Sequence, residues 1–164
     1  MRFYAHSMNE VIMSPSFKVR HATELDSDAI ARLACDLGYP ANPDAMRDRI
    51  RAVSASSTDS LFVAADSFDS PVGWLQAHAA HVIESGFRVE ILGLVVSPTV
   101  RRAGIGRALV AEAERWATSI GAQIVVVQSN VKREESHAFY PALGYSTTKT
   151  QVVYRKPLFE VSSQ

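Results

Sequence analysis

The chain is 164 residues long, a length that suits one compact domain with a substantial core. Hydrophobic residues make up 47% and charged ones 21%, the composition of a soluble globular protein. Basic and acidic residues balance at 17 each, so no net positive field argues for a nucleic-acid partner.

The first fifteen residues carry no apolar run fit for a signal peptide, and internal methionines at positions 8 and 13 leave room for a later start. We expect a flexible extension over 1–15, followed by a single domain over 16–160. No segment has the length and apolarity of a membrane span. Cys35 is the sole cysteine, which excludes an internal disulfide and any multi-cysteine metal site. The histidines are scattered without ligand spacing on one helix, so no metal is expected. A reducing, cytoplasmic setting fits this usage.

Residues 17–21 alternate apolar and polar and predict a first strand. Thr23 and Asp26 offer caps for a helix through about Leu37, with Ile30, Leu33, Ala34 and Leu37 on one face. Cys35 lies beside that face, where a packed thiol is expected. Residues 44–55 predict a second, weaker helix around Met46, Ile50 and Val53. Residues 61–65 read as a strand, 66–71 as its turn, and 72–81 as the next strand. After a turn at Gly86, residues 87–96 form a fourth strand. A long helix spans 104–119, with Ile105, Leu109, Ala113 and Trp116 at helical spacing and Gly121 as its stop. Residues 124–127 are β-branched throughout and predict a strand buried on both sides. A fourth helix covers 134–143, with Pro141 forcing an early end or a kink. Residues 152–154 predict a last strand. The fold class is α/β, with an α+β mixed sheet, mostly antiparallel and flanked by helices, in the order β-α-α-β-β-β-α-β-α-β.

The junction V-S-P-T-V-R-R-A-G-I-G, from Val96 to Gly106, carries the most chemical information. A strand that ends in such a turn aims free backbone N–H groups, at the positive end of a helix dipole, toward a phosphate or pyrophosphate. Arginines at the rim add charge-assisted hydrogen bonds. A P-loop would need Lys-Ser or Lys-Thr after the glycines, and a dinucleotide fingerprint would need a third small residue where Leu109 stands.

The spacing Val96-x4-Arg101-x2-Gly104-x-Gly106 resembles the acetyl-CoA pyrophosphate loop of the GNAT acetyltransferase superfamily, V-x4-[QR]-x2-G-x-[GA]. Downstream, Phe139-Tyr140-x2-Leu143-Gly144-Tyr145 is similar to that superfamily's helix ending in F-Y-x-x-x-G-[FY]. The resemblance spans about residues 89–145. It implies an acetyl-CoA-dependent N-acetyltransferase with CoA in a cleft where the fourth and fifth strands splay. The pantetheine arm would pair with the backbone of Leu94, Val95 and Val96, and the pyrophosphate would sit on Arg101, Arg102, Ala103, Gly104, Ile105, Gly106 and Arg107. Where many members have an Asn three residues before a small one, this chain has Arg133 before Ser136. Asn130 lies three positions earlier, and either residue would contact the pantetheine.

Acyl transfer to an amine requires loss of an amine proton, a polarised thioester carbonyl and neutralisation of the leaving thiolate. A backbone N–H near Val95 or Val96 would polarise the carbonyl. Tyr140 matches the family's tyrosine that protonates the departing sulfur. Glu90 is the candidate base: it is a carboxylate in an apolar strand, and simple alternation puts it on one face with Leu92 and Leu94. A water chain is the alternative base. Trp74, Gln76 and His78 alternate along the third strand on the expected acceptor side. His137 suits a surface role.

The expected acceptor is a primary amine of a small molecule or a protein N-terminus, attacked directly in a ternary complex. Cys35 lies outside both motifs and so is disfavoured as an acyl carrier. A catalytically silent acyl-CoA-binding module with a regulatory role is the alternative. Homodimers are frequent in the superfamily. No nucleic-acid or membrane partner is expected.

Overall fold

The computed structural model describes residues 16–36 and 38–158. The extension at 1–15, Leu37 and positions 159–164 lie outside the described residues. The chain divides between Gln128 and Ser129 into two compact units.

The first unit carries a sheet of five strands in the order β1 (Lys18–His21), β2 (Asp59–Ala65), β3 (Pro71–Val82), β4 (Gly86–Val96) and β5 (Ile124–Val127). The first four pair antiparallel in succession, and β5 joins β4 in parallel. That last pairing needs a crossover, which α3 (Ile105–Ser119) supplies. α1 (Ser27–Cys35) and α2 (Pro43–Ala55) fall between β1 and β2.

Alternation along the strands sorts two cores. Leu61 and Val63 of β2, with Trp74 of β3, face α1 and α2, where Ile30, Ala31, Ala34, Met46 and Ile50 bury with them. On the opposite face Phe62, Leu75, Ala77, Val89 and Ile91 meet the stripe Ile105, Leu109, Val110, Ala113 and Ala117 of α3. Gly73 lets that helix approach closely: a Cβ there would lie 2.8 Å from the Val95 carbonyl and 3.2 Å from Ile105 Cγ2.

The entry to α1 is tied by a buried ion pair. Asp26, 5% exposed, accepts from Arg20 Nη1 at 2.8 Å and Nη2 at 2.9 Å, and from the Thr23 N–H at 2.8 Å. Burial works against the charged carboxyl, but the bonds from Arg20 and Thr23 outweigh it and hold the group below its ordinary range.

Three expectations need correction. Cys35, the last residue of α1, is exposed rather than packed. β5 is not buried on both sides, for Ile124 is 51% exposed. Residues 152–154 form no strand: Val152, Val153 and Tyr154 have β propensity, but a strand is made by its partner and no ladder forms along them. The mixed, mostly antiparallel sheet with helices on both faces stands as expected. Among the described residues, no helix is long and apolar enough to cross a membrane.

The second unit holds α4 (Glu134–Ala142). Pro141 falls in its last turn, where it has no N–H to give the His137 carbonyl, and the helix ends at Ala142 with Gly144 beyond it at φ +93°.

Candidate active site

The site begins with a change of pattern in β4. Gln76 of β3 registers with Gly93, but Ala77 registers with Ile91, so Leu92 is a surplus residue and stands 54% exposed. This bulge reverses the alternation that puts Glu90 with Leu92 and Leu94. Glu90 instead registers with His78, on the face of Trp74 and Gln76, toward α1 and α2. Gly93 is also required here, since a Cβ would come within 2.9 Å of the Trp74 ring.

Beyond the bulge, β4 loses its second neighbour. Pairing with β5 runs from Arg88↔Ile124 to Ile91↔Val127 and ends there, while β4 continues to Val96. Ser97 N–H donates to the Val72 carbonyl at 2.8 Å, so alternation turns the backbone of Val95 toward β3 and that of Leu94 and Val96 toward the open edge. Among the described residues, no strand pairs with this stretch of edge. Unpaired peptide groups favour an extended ligand that carries amides of its own. The side chain of Val95 is buried, which fixes the edge in place.

The open edge leads into the turn before α3. A short 3₁₀ turn, Pro98–Val100, precedes Arg101 in extended conformation, then Arg102 at φ +66° and Gly104 at φ +81°. A non-glycine residue in the left-handed region costs about 1 kcal/mol, so Arg102 marks backbone strain held by its surroundings. Gly104 caps α3 without a side-chain bond, and the N–H groups of Ile105, Gly106 and Arg107 have no intrahelical acceptor by geometry. A Cβ on Gly104 would meet nothing within 4 Å, so the space over the turn is open. Arg101, Arg102 and Arg107 are exposed around it, and Ala103 is half-buried. These residues fit a diphosphate.

Around Glu90 the structure gathers polar side chains. Arg88, two residues earlier on the same strand, donates from Nη2 to Glu90 Oε1. His78 Nδ1 lies 3.1 Å from Asp59 Oδ1, and Asp59 Oδ2 accepts from Ser56 Oγ at 2.6 Å and Thr58 Oγ1 at 3.3 Å. Burial opposes the Asp59 charge, yet the bonds from Ser56 and His78 hold its carboxyl below the usual range. Asp59 was missed because β2 starts two residues before the apolar run that announces it. Trp74 packs against the α1–α2 core, with its Nε1 buried and unpartnered among the described residues.

The second unit holds the remaining candidates. Tyr140 stacks edge-on with Phe139 at 5.0 Å and Tyr145 at 5.7 Å between ring centres. Burial pushes its phenol above the ordinary range, against the opposing pull of Arg133. Such a group stays protonated near neutrality and serves as a donor. Asn130 spends its side-chain oxygen on the Lys132 N–H at 2.9 Å, and its carbonyl accepts from Arg133 N–H at 2.9 Å. Its side-chain NH₂ is left by this turn for other uses. Arg133 is exposed at the N-cap of α4, and His137 is exposed on that helix.

A sheet opened beside a strand-to-helix anion turn defines a binder of a phosphorylated, amide-bearing carrier. The model of the acetyltransferase (GNAT) family matches residues 27–145, and the chain belongs to that family. An aminoalkylphosphonate N-acetyltransferase of Salmonella typhimurium is 32% identical over 133 residues, covering 80% of this chain and 86% of that protein. An aminoglycoside N(6')-acetyltransferase type 1 of Stenotrophomonas maltophilia is 27% identical over 144 residues, covering 85% and 93%. Among solved structures, an aminoglycoside N-acetyltransferase in complex with CoA superposes with TM-score 0.77 at 20% identity, over 87% of this chain and 95% of that one. The chain is an acetyl-CoA-dependent N-acetyltransferase.

Proposed function

We propose that the chain transfers the acetyl group of acetyl-CoA to a primary amine of a small molecule by direct attack within a ternary complex. The observation that supports this most is the continuity of the open Leu94–Val96 edge with the uncapped start of α3. Leu94, Val95 and Val96 hold the pantetheine arm, the first and last through peptide groups. Arg101, Arg102, Ala103, Gly104, Ile105, Gly106 and Arg107 hold the pyrophosphate. Asn130, through its amide, or Arg133 adds a pantetheine contact. Glu90 accepts the amine proton and Tyr140 gives one to the departing sulfur. Residues 16–160 are read as a single N-acetyltransferase domain.

Relatives named for aminoglycosides and aminoalkylphosphonates favour a small polar amine over a protein N-terminus as acceptor. A cytoplasmic setting accompanies this reading, favoured by the single Cys35. Sedimentation velocity separates a monomer from a homodimer.

The Arg88–Glu90 pair supports a second reading, a silent acyl-CoA-binding module, because it engages the proposed base. Incubating the protein with acetyl-CoA and a panel of aminoglycosides, aminoalkylphosphonates, polyamines and N-terminal peptides separates the two. Release of free thiol with one amine class is the expected result. Tight acetyl-CoA binding without thiol release across the panel establishes the silent module.

A further inference from the structure

Strand register places three ionisable side chains in one row across the sheet. Asp59 of β2 registers with His78 of β3, and His78 registers with Glu90 of β4. Their side chains share the α1–α2 face, and the row ends one residue short of the point where β5 leaves β4. Arg88 is the other charged group beside it, bonded to Glu90 Oε1, which leaves Glu90 Oε2 for a proton. Arg88 also donates to Ser85 Oγ at 3.1 Å.

The row has a direction. An ionised carboxylate only accepts hydrogen bonds, and Asp59 is held in that form by its neighbours. The proton between His78 and Asp59 therefore resides on His78 Nδ1, and the neutral ring keeps Nε2 as an acceptor. Neighbouring side chains on a hydrogen-bonded cross-strand pair are within reach of each other or of one bridging water. His78 is partly open to solvent, with 37% of its side chain exposed, whereas Glu90 has 18%.

We propose that His78, oriented by Asp59, takes the amine-derived proton from Glu90 and passes it to solvent. The inference rests on Glu90 as the base. An ammonium acceptor, R–NH₃⁺, gives one proton to the Glu90 carboxylate. The neutral nitrogen then attacks the thioester carbonyl, forming C–N and breaking C–S. The thiolate gains a proton from Tyr140, and the nitrogen's second proton, lost as the amide forms, restores that phenol by way of solvent. Two protons leave the nitrogen and one ends on the thiol, so one must exit. The row carries that proton from Glu90 to His78 Nε2, and Nε2 releases it to water, restoring both groups.

The test compares Glu90→Gln, His78→Ala, His78→Asn and Asp59→Asn with the wild-type chain, using kanamycin or 2-aminoethylphosphonate as acceptor, whichever turns over faster. His78→Ala should lower kcat about tenfold, less than the ~10²-fold attached to a direct base. Added imidazole should restore it, with acetyl-CoA affinity unchanged. His78→Asn, whose amide nitrogen takes the place of Nδ1, keeps a bond to Asp59 but moves no proton, so it should match His78→Ala in rate and the wild type in Tm. Asp59→Asn, whose amide can donate to Nδ1 and reverse the tautomer, should be slowed similarly. On the free protein, ¹⁵N spectra of the His78 ring should show the neutral form protonated at Nδ1.

A neutral ring protonated at Nε2 overturns the proposal, as does a His78→Ala rate that equals wild type or resists imidazole while Glu90→Gln is slow. In that event Glu90 keeps its role. An unaffected Glu90→Gln overturns both the relay and the base, with the transferase activity standing.

Discussion

At the scale of single residues, the site uses ordinary side chains whose environments tilt their protonation. Tyr140 is the clearest: burial disfavours its phenolate, so the donor form persists to higher pH than for a free phenol. We expect the alkaline fall of kcat, in the wild type, above the ordinary phenol value of about 10, and Tyr140→Phe to lower kcat roughly 10²-fold with little change in acetyl-CoA affinity. Steady-state profiles with calorimetric binding check both. Asp26 makes the opposite case. Its folded pKa is depressed, so its contribution to stability is present above about pH 4 and is lost as pH falls through the folded value. Asp26→Ala removes two hydrogen bonds from the half-buried Arg20 guanidinium and two from Thr23, and should cost about 3 kcal/mol at pH 7. Chemical denaturation should show that penalty shrinking toward pH 3; a constant difference would contradict the assignment.

At the scale of elements, the junction between β4 and α3 joins packing to binding. Because Gly73 lets α3 sit against β3, Gly73→Ala should push the helix outward and destabilise the fold by about 2 kcal/mol, read as a lower denaturation midpoint. Gly104→Asp sets a carboxylate over the anion turn and strains a φ of +81°. It should lower acetyl-CoA affinity at least tenfold while the far-ultraviolet spectrum is retained. Unchanged affinity would put the diphosphate elsewhere. The strands, the four helices and the turn at Gly104 were legible because each rests on local periodicity or a glycine. The bulge was not, since E-I-L-G-L reads as unbroken alternation and only the fit of Gly93 under Trp74 shows where the register slips. The strand expected at 152–154 failed for a related reason: its propensity is local but its pairing is not. Asp59 was invisible because a partner on a neighbouring strand has no sequence spacing, whereas Arg88, two residues before Glu90 on the same strand, was legible as its same-face neighbour and was passed over.

At the scale of the molecule, the balance of charge and the two cores on either side of the sheet suit a carrier-dependent enzyme better than a polyanion binder. Acetyl-CoA at about a hundred times its Kd should stabilise the protein by ~2.7 kcal/mol, a rise of roughly 5–10 °C in Tm by scanning fluorimetry. A flat response would remove the carrier site from the account.

Leu92 shifts the phase of its strand by half a repeat, and two demands on one stretch of sequence are thereby met. Upstream, the odd residues fill the core under α3 and Glu90 looks the other way; downstream, the even backbone positions are handed to the cleft. Drawing Leu92 into a regular ladder would rotate Glu90 into the oily layer beneath α3, whereas excising it would leave the pairs on either side unchanged. A strand of full length without the bulge would have its proposed proton acceptor on the wrong side of its own sheet.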